Sequence, residues 1–110
     1  MAGRSPDGLN DRLAVAEEAL RRTSVGLTTS LNAIFYSRHG RSFVESLVTD
    51  PLNTYMEALT AASNGLVESA IKVALRAMGL DQSTIERFIE ALRGGDGAAA
   101  ASLLRSLLHM

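Results

Sequence analysis

The chain has no cysteine, no tryptophan, and a single lysine beside ten arginines. The missing cysteines exclude disulfide frameworks, thiolate zinc sites, iron–sulfur clusters and cysteine nucleophiles in one step. A long apolar run is missing as well. The longest uncharged stretch, Thr23 to Ser37, is 15 residues rich in Thr, Ser and Asn, too short and too polar to cross a bilayer. Residues 1–10 carry no apolar run after Arg4, unlike a secretory signal, and Gly3 stands one place late for myristoylation. A cytoplasmic protein with no membrane association is therefore expected. Excess charge of either sign is also lacking, at a formal net of -1. Together with 46 % hydrophobic residues, this argues against wholesale disorder and against a nucleic-acid binder of strongly basic pI, though not against a local patch. A chain of 110 residues suits one domain, residues 1–110 with 1–5 expected to be flexible. Such a domain buries about two-thirds of its unfolded surface, enough for a core without metal or disulfide.

What the sequence does contain is a succession of helix starts and stops. Ser5-Pro6 supplies an N-cap and first helical residue, and Leu9, Leu13, Ala16 and Leu20 follow on one face to about Arg22. Glu17 with Arg21, and Glu18 with Arg22, have the favourable four-residue spacing. Gly26 is expected to interrupt. Thr28 to Arg38 carries Leu31, Ile34 and Phe35 inward and closes on His39-Gly40, with Gly free to take a left-handed cap. Ser42 and Glu45 have capping-box spacing and open a short helix through Val48. Asp50-Pro51 starts the next, with Asp50 as cap and Leu52, Tyr55, Met56 and Leu59 as its buried stripe, up to a break at Asn64-Gly65. Leu66, Val67, Ala70, Ile71, Ala74, Leu75 and Met78, ended by Gly79, make the widest apolar face and predict a central helix. Ser83 and Glu86 repeat the capping-box spacing ahead of Ile85, Phe88, Ile89 and Leu92, before Gly94-Gly95. Asp96 caps a last helix bearing Leu103, Leu104, Leu107 and Leu108.

No segment alternates β-branched with polar residues over strand length. The expected fold is all-α, a compact orthogonal bundle of about six short helices. Leu13, Leu20, Leu27 and Ile34 lie seven apart and allow an alternative, one long helix with a coiled-coil seam, although Glu17, Ser24 and Gly26 interrupt it. Phe43 to Leu47 resembles Phe88 to Leu92, too short a match to establish a repeat.

Catalytic chemistry is hard to assemble here. General acid–base work needs a positioned histidine or carboxylates in contrasting environments. His39 sits at a helix C-terminus, which suits a cap or surface role, and His109 is penultimate. Neither has a ligand-type residue three or four places away, so no metal and no cofactor is expected, and no catalytic residue is named. Glu17 and Glu18 project about 100° apart on a helix and cannot converge. Gly94-Gly95-Asp96-Gly97 lacks the strand and lysine of a phosphate loop, and Asp96 would repel phosphate.

Charge order carries more. Ala19 to Val44 holds Arg21, Arg22, Arg38, His39 and Arg41 with no acid, a formal +4; Glu45 to Ile71 holds Glu45, Asp50, Glu57 and Glu68 with no base, a formal -4. The basic block is a candidate contact for an anion, nucleic-acid phosphate or an acidic protein partner; alternatively the two blocks face each other within the fold or across a dimer. A helix-turn-helix reading is poorly served, because the helix opened by Ser42 would offer Glu45 to the DNA phosphates. Each helix bears a strong apolar stripe, and little surface is left to hide them all; the last helix either forms an interaction surface or closes the monomer core. A homodimer is expected, with the first or last helix at an isologous interface and Leu103, Leu104, Leu107 and Leu108 as candidate contacts.

The order His39-Gly40, Asp50-Pro51, Tyr55, Leu59, Gly65 and Glu68 resembles that of a small all-α archaeal domain family of uncertain function, sometimes an output domain in signalling proteins. The likeness covers Leu27 to Met78, about half the chain, and departs at Arg41 and Asn64, where apolar residues are expected. It implies a signalling or regulatory setting and carries over no catalytic residue. The leading expectation is a non-catalytic helical protein-interaction module, homodimeric; a nucleic-acid binder using residues 21–41 is the alternative, and an enzyme comes third.

Overall fold

Turn and cap chemistry divides the chain into seven helices in the computed structural model, which describes residues 8–105: α1 (Leu9–Thr23), α2 (Val25–His39), α3 (Phe43–Thr49), α4 (Pro51–Ala58), α5 (Asn64–Ala77), α6 (Gln82–Arg93) and α7 (Gly97–Leu103). No strand occurs among the described residues. The seven helices correspond to the seven segments set off by the cap and turn residues, one more than the figure of about six, and Asp50, at φ -148° and ψ 78°, separates α3 from α4 at the expected Asp50-Pro51 start. The Ser5-Pro6 start, the expected flexibility of 1–5, and Leu107, Leu108 and His109 lie outside the described residues.

Four side chains accept a hydrogen bond at a helix start: Ser42 from Glu45 N (3.1 Å), Ser63 from Leu66 N (3.3 Å), Asp81 from Thr84 N (2.9 Å) and Asp96 from Ala99 N (3.0 Å). Ser42 and Asp96 act as expected. Asp81 takes the place expected of Ser83, so α6 starts two residues early, and Asp50 makes no side-chain cap bond although Pro51 holds the first turn as expected. Phe43 N–H is taken by Asn32 Oδ1 on α2 at 2.9 Å, tying α3 to the preceding helix.

The seam of leucines does not make one long helix. Ser24 adopts an extended conformation, φ -155° and ψ 92°, and separates α1 from α2. Thr23 Oγ1 bonds back to Ala19 O at 2.8 Å, a local bond that competes with helix propagation. The break thus falls at Ser24, and Gly26 lies inside the first turn of α2. Gly40 takes the left-handed cap at φ +71°, as expected. At the end of α5, Gly79 has φ +104°, and Leu80 N returns to Leu75 O at 3.1 Å, so the chain reverses toward α6.

Packing follows helical period. Leu13, Ala16 and Leu20 of α1 face Val67, Ala70, Ile71, Ala74 and Leu75 of α5; α2 and α3 contribute Leu31, Phe35, Phe43, Val44 and Leu47; α6 adds Ile85, Phe88, Ile89 and Leu92. α7 lies across α6 and α4, with Leu104 buried after its last turn. All these side chains belong to one core. A Cα radius of gyration of 13.2 Å matches the ~13 Å expected of a single domain this long.

Several apolar assignments differ from expectation, among them Leu52 and Leu59 of α4, which are half-buried. α4 buries Pro51, Thr54, Tyr55 and Ala58, spaced three and four apart, which turns Met56 a quarter-turn out to 57 % exposure. In α5 the stripe runs through Val67, Ala70 and Ile71, and Leu66, outside it, is 53 % exposed. Ile34, expected inside, is half-buried.

Candidate interaction surface

The left-handed turn at Gly40 leaves Arg38 and His39 at the end of α2, within reach of Glu57 on α4. His39 Nε2 lies 2.7 Å from Glu57 Oε1, and Arg38 Nη1 donates to Oε2 at 3.4 Å. The His39 ring packs on Phe35, centroids 5.8 Å apart. The hydrogen bond to His39, with Arg38 adding to it, holds the Glu57 carboxyl below the ordinary glutamate range against the opposing effect of desolvation. At this point the 21–41 basic segment meets the 45–71 acidic segment within one chain.

The other basic candidates lie elsewhere. Arg21 and Arg22 both bond Glu18 on their own helix, at 2.8 and 3.1 Å. Glu17, spaced to pair with Arg21, instead accepts from Ser42 Oγ at 2.7 Å. Arg41 is half-buried and its Nε has no hydrogen-bond partner. α2 carries Arg38 about 20 Å along its axis from the end of α1 that bears Arg22, so the structure does not bring the five candidates into one patch.

A second ionic cluster joins α4, α5 and α6. Glu68, which sequence order groups with the acidic block, is 8 % exposed. Arg93 grips it with two bonds, Nε to Oε2 at 2.9 Å and Nη2 to Oε1 at 2.6 Å, and Tyr55 Oη donates to Oε2 at 3.1 Å. The Arg93 bonds hold the carboxyl below the ordinary range, against desolvation, while burial and the Glu68 charge push the Tyr55 phenol up. Sequence reasoning missed this cluster. Its one signal is that Glu68, Ile71 and Leu75 share a helical face, placing an acid in an apolar stripe. A carboxylate satisfied by three bonds is built to stay ionised and join helices rather than to exchange protons.

Among the described residues, no group of three or more His, Cys, Asp or Glu side chains is placed to hold a metal, and no helix is long and apolar enough to cross a membrane.

Apolar side chains are also exposed along the seam between α1 and α5. These helices run antiparallel: Asp11 and Val15 lie beside Ala77 to Gly79, and Leu20 and Thr23 beside Leu66 and Ser69. Arg12 Nη1 donates to Met78 O and closes one end of the seam. Outside the core stripe each helix has a second one, Ala14, Val15, Glu18, Ala19 and Arg22 on α1 and Leu66, Ser69, Val73, Arg76 and Ala77 on α5. Val15 and Leu66 are each 53 % exposed. Where α2 leaves α1, Leu20, Leu27, Thr28, Leu66 and Val73 help to line a cavity of about 220 Å³. That is below the ~300 Å³ at which small-molecule sites begin, and suits an inserted side chain better.

Of the expected dimer contacts, Leu104 is 1 % exposed and committed to the core, and Leu103 packs partly against it. Among the described residues, α1 therefore exposes a large apolar side chain, Val15, where α7 and Leu104 expose none. No protein-family model, no curated protein and no solved structure matches the chain.

Proposed function

We propose that the chain is a cytoplasmic, non-catalytic helical protein-interaction module that works as a homodimer, with the α1–α5 face as its contact surface. The observation that carries this reading is the apolar stripe in which exposed Ala14, Val15 and Leu66 are joined by half-buried Val73 and Ala77, flanked by charges of both signs. Contiguous apolar exposure rimmed by polar groups is characteristic of protein contact sites. The non-catalytic half of the proposal is supported by what the acid–base groups do: His39 and Glu57 clamp two helices, and Glu68 is neutralised by Arg93 and Tyr55. A signalling or regulatory setting rests on the resemblance of the Leu27 to Met78 segment alone.

Nucleic-acid binding through residues 21–41 is the second reading, favoured by the exposure of Arg21, Arg22 and Arg38. It is weakened because each of these arginines is paired with a carboxylate, which phosphate would have to displace. Light scattering coupled to size exclusion, at low and moderate salt, with and without a short mixed duplex, separates the two. The expected result is twice the chain mass, unchanged by duplex. A monomer that shifts with duplex at low salt would overturn the proposal in favour of the second reading.

A further inference from the structure

The cavity where α2 leaves α1 has a polar end that the dimeric reading does not use. Ser24 is extended and its hydroxyl makes no cap bond, so α2 opens without a side-chain acceptor and without an acid in its first turn. Thr28 N returns to Ser24 O at 3.0 Å as the first bond of the helix, and the N–H groups of Val25, Gly26 and Leu27 ahead of it have no acceptor among the described residues. Ser24, Leu27 and Thr28 share one side of that turn, and all three line the cavity of about 220 Å³. The Leu27 N–H is the donor that a capping serine would take, and it is left free beside the cavity.

Thr28 supplies a second, independent donor. It is 6 % exposed, yet its hydroxyl bonds no described residue and is not sealed inside the protein, so it opens on the cavity that the residue lines. A hydroxyl this deep costs stability until something bonds it. Leu20, Leu66 and Val73 make the opposite wall apolar, and no acidic side chain lines the cavity. Glu68, next to Ser69 in sequence, is held by Arg93 and Tyr55. Ser69 and Val73 also border the groove that holds Lys72, which is exposed and joins no ion pair among the described residues, so the field at the mouth is positive.

Free donors at a helix start, a buried hydroxyl and apolar walls together select an anion on an apolar stem. We propose that the cavity binds a carboxylate on a short aliphatic stem, a group the size of one side chain, with the carboxylate on the Leu27 N–H and the Thr28 hydroxyl and the stem between Leu20, Leu66 and Val73. Hexanoate is the probe, hexanol the uncharged control, and N-acetylnorleucine the same carboxylate and stem at the end of a peptide chain. In amide nitrogen–proton correlation spectra hexanoate should shift Gly26 and Leu27 saturably, with hexanol binding at least about tenfold more weakly. Thr28→Val is expected to weaken hexanoate binding about tenfold, the loss of one hydrogen bond to a charged group, while its Tm stays at or above the wild-type value because an unbonded hydroxyl has been removed. Tighter binding of hexanoate than of N-acetylnorleucine assigns a free acid, and the reverse order a chain terminus. Equal shifts with hexanol, hexanoate shifts that miss the first turn of α2, or a Thr28→Val chain that binds hexanoate as the wild type does, each overturn the proposal. The readout sits on α2 and serves for monomer or dimer alike, so a monomeric chain would overturn the dimeric reading alone.

Discussion

Phe35→Ala should destabilise the fold by about 3–5 kcal/mol, the range measured for emptying a buried aromatic site, out of a total of roughly 5–15 kcal/mol for a domain of this size. Phe35 is 1 % exposed and stands where α2, α3 and the Glu57 clamp converge. Its ring meets Phe43 at 5.7 Å and an interplanar angle of 58°, a tilted arrangement that adds to the burial itself, and it supports the His39 ring on the other side. The cavity has no easy route to collapse, because Phe43 is held by the bond from its N–H to Asn32. Tyr36, next in sequence, is 54 % exposed, and Tyr36→Ala is expected to stay within about 0.5 kcal/mol of wild type. Urea denaturation of the two variants measures both effects. Equal losses would contradict the placement of α2.

Glu68→Gln is expected to cost about 2 kcal/mol at neutral pH and to flatten the loss of stability in acid. The substitution keeps the shape but removes the charge that Arg93 and Tyr55 bond, and hydrogen bonds to charged groups are worth about 1.5–3 kcal/mol. Because the folded-state carboxyl of Glu68 titrates below its unfolded value, its contribution is fully present above the ordinary glutamate range and disappears as pH falls through the depressed folded value. Glu57 acts in the same direction. Thermal unfolding followed from neutral pH into acid should therefore show a falling Tm for the wild type, and a shallower fall for Glu68→Gln. A Gln variant with the wild-type slope would mean that Glu68 is not the group responsible.

Local chemistry was enough to foresee most helix boundaries and inward faces. Pro51 at a first turn, Gly40 in a left-handed cap, and Asp96 as an N-cap each depend on a few adjacent residues. The misplacements have equally local causes. The break fell at Ser24, whose backbone is extended, rather than at Gly26, and Asp81 stood two places before the serine expected to cap α6. Met56 and Leu66 point out because tertiary packing decides which apolar residues of each helix fall inside the buried stripe. Long-range pairing left almost no trace. Glu57 could be foreseen as an acid facing the basic block, but not as the partner of His39, and nothing in sequence spacing links Glu68 to Arg93, 25 residues away. The α1–α5 face was hidden for the same reason: Val15 and Leu66 lie 51 positions apart in sequence, and only antiparallel packing places both on one surface.

The central claim is that this face is the contact surface, and Val15→Glu tests it most directly. Val15 is 53 % exposed in the single chain, so the new carboxylate leaves the monomer fold intact, whereas in the dimer it would be buried without a partner. Light scattering across a range of concentrations should give twice the chain mass for the wild type and the single-chain mass for Val15→Glu, with unchanged helical circular dichroism. A Val15→Glu chain that remains dimeric at wild-type concentrations would contradict the account.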